Sequence, residues 1–227
     1  MMGPEAPQFS APAPSKDDIR HTYDRLSRFY DYWTVLTESQ AADRALELAG
    51  ITNGEDVLEA AVGTGRIFEH IVSLNSNGSN VGFDFSSEML NAARKRLAGS
   101  IGNYELQVAD AYSMPYENGT FDLVVSNYFF DLLPYEDFVT VLAEFKRVLR
   151  PGGRIVITSW TPARMWYSRI WDWLARTFPK AMAGCRPVVL EPAVRDAGFI
   201  NIHQEYVSQM TFPSTVVRAE KPHASAS

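Results

Sequence analysis

The sequence predicts a doubly wound α/β domain, a seven-stranded and mostly parallel sheet with an antiparallel C-terminal strand, preceded by N-terminal helices. Three observations carry this reading. Short apolar runs alternate with amphipathic stretches, as in strand and helix units around a parallel sheet. The first run leads through Glu59-Ala60-Ala61-Val62-Gly63-Thr64-Gly65, an acidic residue and a glycine turn that opens a helix. Asp84 and Asp110 each follow a different later run, so the three acids share the rim of the sheet where such folds bind ligands.

Residues 1–15 carry Pro4, Pro7, Pro12 and Pro14 among small residues and read as a flexible tail. Ile19, Tyr23, Leu26, Tyr30 and Trp33 recur at three- and four-residue intervals, one face of a helix. A second helix over 39–48 stops at Gly50. These helices make a cap over 16–50 within a domain spanning 16–219, with 220–227 expected as a second frayed end. Strands are predicted at 56–60, 80–83, 104–108, 121–126 and 153–160, with helices near 66–74, 87–97 and 135–149. Pro151, Gly152 and Gly153 are expected to turn the chain into the fifth strand. A helix near 189–197 and an antiparallel pair at 200–206 and 209–217 close the domain.

The composition suits a folded protein, 46% hydrophobic and 21% charged over 227 residues, enough for one sizeable core. A net charge of −6 provides no field for a phosphate backbone, so no nucleic-acid partner is expected. Cys185 is the single cysteine, which excludes an internal disulfide and a multi-cysteine metal site and suits the cytoplasm; no metal is expected. No apolar stretch is long enough to span a bilayer, which leaves peripheral contact as the only membrane association allowed.

The glycine turn lets a ligand approach the backbone at a helix N-terminus. Three residues after Gly65 stands Phe68, where a dinucleotide pyrophosphate wants a small residue, which argues against a dinucleotide oxidoreductase. Asp84, 25 residues after Glu59, is placed to accept both hydroxyls of a ribose; the plain alternative is that Asp84 or Ser86 caps the next helix. Asp110 is placed to accept an adenine amine, with capping again the alternative.

Taken with Tyr23-Asp24, Tyr30-Asp31, the run from Asp84 to Leu90, Asp110-Ala111, Phe121-Asp122-Leu123-Val124-Val125 and Arg147-Val148-Leu149-Arg150-Pro151-Gly152-Gly153, the chain resembles the Rossmann-like class I S-adenosylmethionine-dependent methyltransferases. Within that class it is similar to the ubiquinone/menaquinone C-methyltransferase-like and phospholipid N-methyltransferase-like groups. The resemblance, from about Tyr23 to Phe199, implies S-adenosylmethionine as cofactor and a small-molecule or lipid-like methyl acceptor. It implies that Gly63 and Gly65 border the methionine portion, that Glu59 supports that loop and that Asp84 holds the ribose. Asp110 and Ala111 would meet the adenine, with Phe85 and Met89 as apolar neighbours. Asn127 and Tyr128 would line the junction between cofactor and acceptor, and Tyr23 and Tyr30 would fold over it. Ala61 departs from the glycine usual in the family, and the expectation is an ordinary backbone conformation there, because positive φ is costly for alanine.

A sulfonium is an activated methyl donor, so the protein has mainly to align the acceptor and exclude water. If the acceptor must lose a proton, His21, Tyr30 and Asp131 are the candidate bases. Asp131, in an apolar stretch, reads equally as a helix cap. The fourth strand lacks the paired prolines of DNA adenine methyltransferases. A non-catalytic S-adenosylmethionine-binding protein is a rival reading, since methyl transfer needs no diagnostic nucleophile. Finally, 162–186 interrupts the strand and helix alternation. Over 165–178 it places Trp166, Tyr167, Ile170, Trp171, Trp173, Leu174 and Phe178 on one broad helical face, with Arg169, Asp172 and Arg176 opposite. It is read either as a core-facing helix or as a lid that walls the acceptor pocket and, with Arg164 and Lys180 nearby, rests on an anionic membrane.

Overall fold

The structure, a computed structural model, describes residues 36–177 and 185–223. The predicted helix over Ile19–Trp33 and the first tail lie outside the described residues, as does Phe178. Helix α1, Ser39–Ala49, turns a stripe of small residues, Ala41, Ala42, Ala45 and Ala49, onto the sheet. It ends at Gly50, whose φ of +53° lets its N–H reach back to Glu47 O, as glycine at a helix C-terminus commonly does.

Strands β1 (Asp56–Ala60), β2 (Ser79–Asp84), β3 (Tyr104–Val108), β4 (Phe121–Asn127) and β5 (Leu149–Trp160) run parallel, linked through α2 (Arg66–Leu74), α3 (Ser87–Arg96) and α4 (Phe138–Val148). After α6 (Glu191–Asp196) come β6 (Ile200–Gln209) and β7 (Phe212–Glu220), and the sheet order is β3-β2-β1-β4-β5-β7-β6. Strand β7 is antiparallel to both neighbours and sits between β5 and β6. The central strands are covered on both faces and read as continuous apolar runs, such as Val57-Leu58 and Leu123-Val124-Val125, all without solvent exposure. One face packs on α4 and α6 through Phe138, Leu142, Phe145 and Val194, the other on α1, α2 and α3 through Ala45, Phe68, Ile71 and Ala93.

Several boundaries differ from the sequence reading; the closing pair, predicted at 200–206 and 209–217, runs Ile200–Gln209 and Phe212–Glu220 about a turn at Met210 and Thr211. Pro151-Gly152-Gly153 does not turn the chain into β5; the strand already begins at Leu149 and absorbs these residues as an irregularity opposite Phe121 and Leu123. Gly152, at φ +78°, donates to Lys221 O and Gly153 O accepts from Lys221 N, so backbone pairing continues past residue 219 instead of fraying at Glu220. Among the described residues no helix is long and apolar enough to cross a membrane.

Candidate functional site

The site grows from how the chain leaves β1. Val62 N donates to Phe83 O and Gly65 N to Val62 O, which folds the turn tightly onto β2. Such a path needs left-handed residues, and Ala61 (φ +59°), Gly63 (φ +57°) and Gly65 (φ +80°) supply them. The expected ordinary conformation at Ala61 is therefore wrong: the hydrogen bonds on either side hold an alanine in a conformation that costs about 1 kcal/mol or more. Gly63 faces open space and directs its N–H to Asp84 Oδ2 at 2.9 Å. Gly65 does not line the cavity. A Cβ there would stand 2.8 Å from Ala93 Cβ and 3.1 Å from Leu97 Cδ1, so this glycine permits close packing of α2 on α3.

Along the rim above this turn opens a cavity of about 320 Å³. Asp84, buried in its wall, accepts from Gly63 N and, through Oδ1, from Ser86 N at 2.9 Å. It is Ser86, not Asp84, that caps α3, accepting from Met89 N. Burial raises the Asp84 pKa, and the N–H groups of Ser86, Gly63 and Phe85 hold the rise back. Glu59, only 2% exposed, also lines the cavity, and its Oε2 has no partner among the described residues. Burial pushes its carboxyl well above the usual range, with Asn127 opposing the rise and Asp84 adding to it. Phe85 is 40% exposed and Met89 buried; with Ala111 and Asp110 they form the apolar slot and its polar edge. Asp110 Oδ1 accepts from Tyr112 N, a local turn rather than a helix cap.

Beside Glu59, on the strand paired with β1, Asn127 and Tyr128 leave β4 into the cavity wall. Both carboxamide atoms of Asn127 are buried without a well-formed hydrogen bond among the described residues, although the group lies near enough to Glu59 to hold its pKa down. Tyr128 has φ +51°, rare for an aromatic residue, and is held there by its N–H on Thr158 O and its hydroxyl 2.8 Å from Ser214 Oγ. Phe129, Leu132, Leu133 and Pro134 complete an apolar wall.

Asp131 is neither in that wall nor a helix cap. It is 1% exposed, and its Oδ2 accepts from Trp160 N at 2.9 Å, which ties the turn after β4 to the end of β5. Burial pushes its carboxyl well up, the Trp160 N–H and Arg186 counteract, and Glu38 adds to the rise. His21, Tyr23 and Tyr30 lie outside the described residues.

Glu38 was missed in the sequence. It lines the cavity at 8% exposure, and burial pushes its carboxyl up to about 8 against the pull of Arg66. The signal was available, since Glu38 precedes Ala41, Ala42, Ala45 and Ala49 on the inward stripe of α1, where a charge is out of place.

The aromatic insertion forms a short 3₁₀ turn, Trp166–Ser168, and helix α5, Arg169–Thr177. Its broad face is split. Trp171 packs edge-on against Phe212 and donates to Thr211 Oγ1, while Trp166 (82% exposed), Ile170 and Trp173 (53%) face outward. Asp172, expected opposite, turns inward toward the N–H of Ala163. None of the described residues after Trp160 lines the cavity, so α5 does not wall it as a lid.

A model of a methyltransferase domain family matches residues 57–153. The demethylmenaquinone methyltransferase of Lactococcus lactis is 25% identical over 235 aligned positions, 92% of each chain. The ubiquinone/menaquinone biosynthesis C-methyltransferase of Desulfotalea psychrophila is 40% identical over 148 residues, 63% of this chain and 58% of that one. Among solved structures, a cyclase, SpnF, superposes with a TM-score of 0.73 at 17% identity, covering 94% of this chain and 98% of that one. A phosphoethanolamine N-methyltransferase from Haemonchus contortus gives 0.65 at 18% identity, covering 81% and 53%.

Proposed function

The chain belongs to the class I S-adenosylmethionine-dependent methyltransferases, and from that premise we propose that it methylates a small aromatic acceptor of the quinol-precursor class. The observation that carries this is a cavity that brings the buried carboxylates of Glu59 and Asp84 together with an apolar wall of Tyr128, Phe129 and Leu133.

The carboxylates fit the cofactor. Asp84 has acceptor capacity left for ribose hydroxyls beyond its two backbone bonds. The orphaned Glu59 Oε2 and the Asn127 carboxamide are acceptors suited to the methionine ammonium, next to the open face of Gly63. Phe85, Met89 and Ala111 would sandwich the adenine, with Asp110 at its amine. Bound S-adenosylmethionine supplies a methyl carried on a sulfonium. The chain's own part is to hold the acceptor in line, which is worth several kcal/mol, and to exclude water through Tyr128, Phe129 and Leu133.

The relatives' names support a quinol-type acceptor, and so does the wall. A phosphate-bearing acceptor wants cations, and among the described residues Arg66 is the only one lining the cavity. The exposed Trp166, Ile170 and Trp173, with Arg164 and Arg169 beside them, supply a face for peripheral contact with the anionic membrane that holds such acceptors. The test is incubation with labelled S-adenosylmethionine and either a reduced naphthoquinone lacking its ring methyl or phosphoethanolamine. Label in the naphthoquinone product is the expected result; label in phosphoethanolamine alone overturns the reading.

A further inference from the structure

Glu38 stands at the first turn of α1, where a side-chain oxygen commonly accepts a hydrogen bond from the helix's own N–H groups. Its carboxylate makes no such bond. The N-terminus is served from elsewhere: Gln209 Oε1, at the end of β6, accepts from Gln40 N at 2.7 Å and from Ser39 Oγ at 3.2 Å. A residue 169 positions away thus does the capping, and the carboxylate beside it faces the cavity instead.

There it is nearly buried, in a cavity it shares with Ala42, Tyr128 and Phe129. The charged groups facing it are few. Arg66, first residue of α2, stabilises its anion; Asp131, on the turn after β4, repels it and is itself faced by Arg186. Glu59 and Asp84 line the same cavity. Buried carboxyls are retained where they have a partner or a task, and Glu38 has neither a capping bond nor a bidentate ion pair among the described residues.

We propose that Glu38 is the proton acceptor of the reaction, taking the hydroxyl proton of the methyl acceptor in the cavity that it lines with Tyr128 and Phe129. The proposal rests on the quinol reading above. As the O–H bond breaks and its proton passes to the Glu38 carboxylate, the freed electron pair pushes through the ring. The ring carbon forms its bond to the methyl, and the S–CH₃ bond breaks to leave a neutral thioether. Glu38 then returns its proton to the ring oxygen while the ring carbon's hydrogen leaves to water as a proton. The net products are methylated quinol, S-adenosylhomocysteine and one proton. A carboxyl pushed up to about 8 is well matched to a phenolic proton.

The experiment compares wild type with Glu38→Gln and Glu38→Asp, using the reduced, demethylated naphthoquinone as probe. Glu38→Gln should lower kcat about 100-fold or more while S-adenosylmethionine affinity, measured by calorimetry, stays within about threefold. The rising limb of kcat with pH, centred near 8, should vanish in Glu38→Gln and return in part with Glu38→Asp. Infrared difference spectra of the wild type should show a protonated carboxyl band titrating in the same range and missing from Glu38→Gln, a readout needing no acceptor. Wild-type turnover that survives in Glu38→Gln, or the absence of that band, overturns the proposal and leaves the quinol reading standing. A wild type that ignores the naphthoquinone overturns the quinol reading, and this proposal with it.

Discussion

Around Asp84 the cavity wall is tied to near neighbours in sequence, Ser86 two residues away and Gly63 twenty-one, whereas around Tyr128 and the start of α1 it is tied to strangers. Tyr128 is held by Ser214, 86 residues on, and the start of α1 by Gln209, 169 residues on. The first region is made largely of backbone N–H groups and short carboxylates, which tolerate little change of shape. The second is made of side chains brought together by the tertiary fold, so its shape and acidity can vary without disturbing the turn after β1. This division suits an enzyme with a fixed cofactor and a family-variable acceptor.

The sharpest way to break the comparison is at the glycine turn. Gly65→Ala should destabilise the protein by about 2 to 5 kcal/mol in denaturant titration, from left-handed strain plus overlap with Ala93 and Leu97. Gly63→Ala, with open space around it, should cost only the strain. Equal losses at both positions would mean that α2 and α3 can part, and that this region is softer than it looks.

The region around Glu38 should instead reveal itself through pH. Its folded pKa, about 8, exceeds the ordinary 4.5, so the folded state binds more protons between those values. The favourable contribution is complete below about pH 4.5 and is lost as pH rises to about 8. Each unit of separation is worth about 1.4 kcal/mol, so the loss should reach a few kcal/mol. Glu38→Gln should remove this part of the decline; parallel wild-type and variant curves would show that Glu38 is solvated.

Asp84→Asn keeps the side-chain shape but sets an amide N–H against the N–H of Gly63 or Ser86. S-adenosylmethionine binding should weaken by about 1.5 to 3 kcal/mol in calorimetric titration. Unchanged affinity would reduce Asp84 to a brace for the turn. The smallest effect has the opposite sign. Ala61→Gly relieves strain at φ +59° at some cost in chain entropy, and should raise the unfolding free energy by up to about 1 kcal/mol. A loss would mean that the Ala61 methyl has packing worth more than the strain.

The same division decides what could be read from the chain. The acid, glycine turn and second acid of the cofactor site lie within residues 59–84, and the strand and helix alternation around them is visible as period and punctuation. Ala61 was misread because residue type alone was weighed, when the hydrogen bonds of Val62 and Gly63 force the conformation. Asp131 was suspected but not resolved, because its partner is the backbone of Trp160, 29 residues later. Glu38 shows in the sequence only as a misplaced charge; that its carboxylate is spared from capping depends on Gln209. The helix expected over 165–178 is found over Arg169–Thr177 only, behind a 3₁₀ turn at Trp166–Ser168, and its orientation, which Thr211 and Phe212 set, was not legible.

Strand β7, slotted between β5 and β6, also fixes an order of events during synthesis. The bonds that fold the turn after β1 onto β2 have both partners once residue 84 has emerged, and Arg96, which donates to Thr64 O, follows soon after. Tyr128 cannot be clamped until Ser214 arrives, nor the start of α1 until Gln209 does. These long-range closures are the slow ones. The turn after β1 can thus fold before the wall around Tyr128 and the start of α1, which wait for the β6–β7 hairpin.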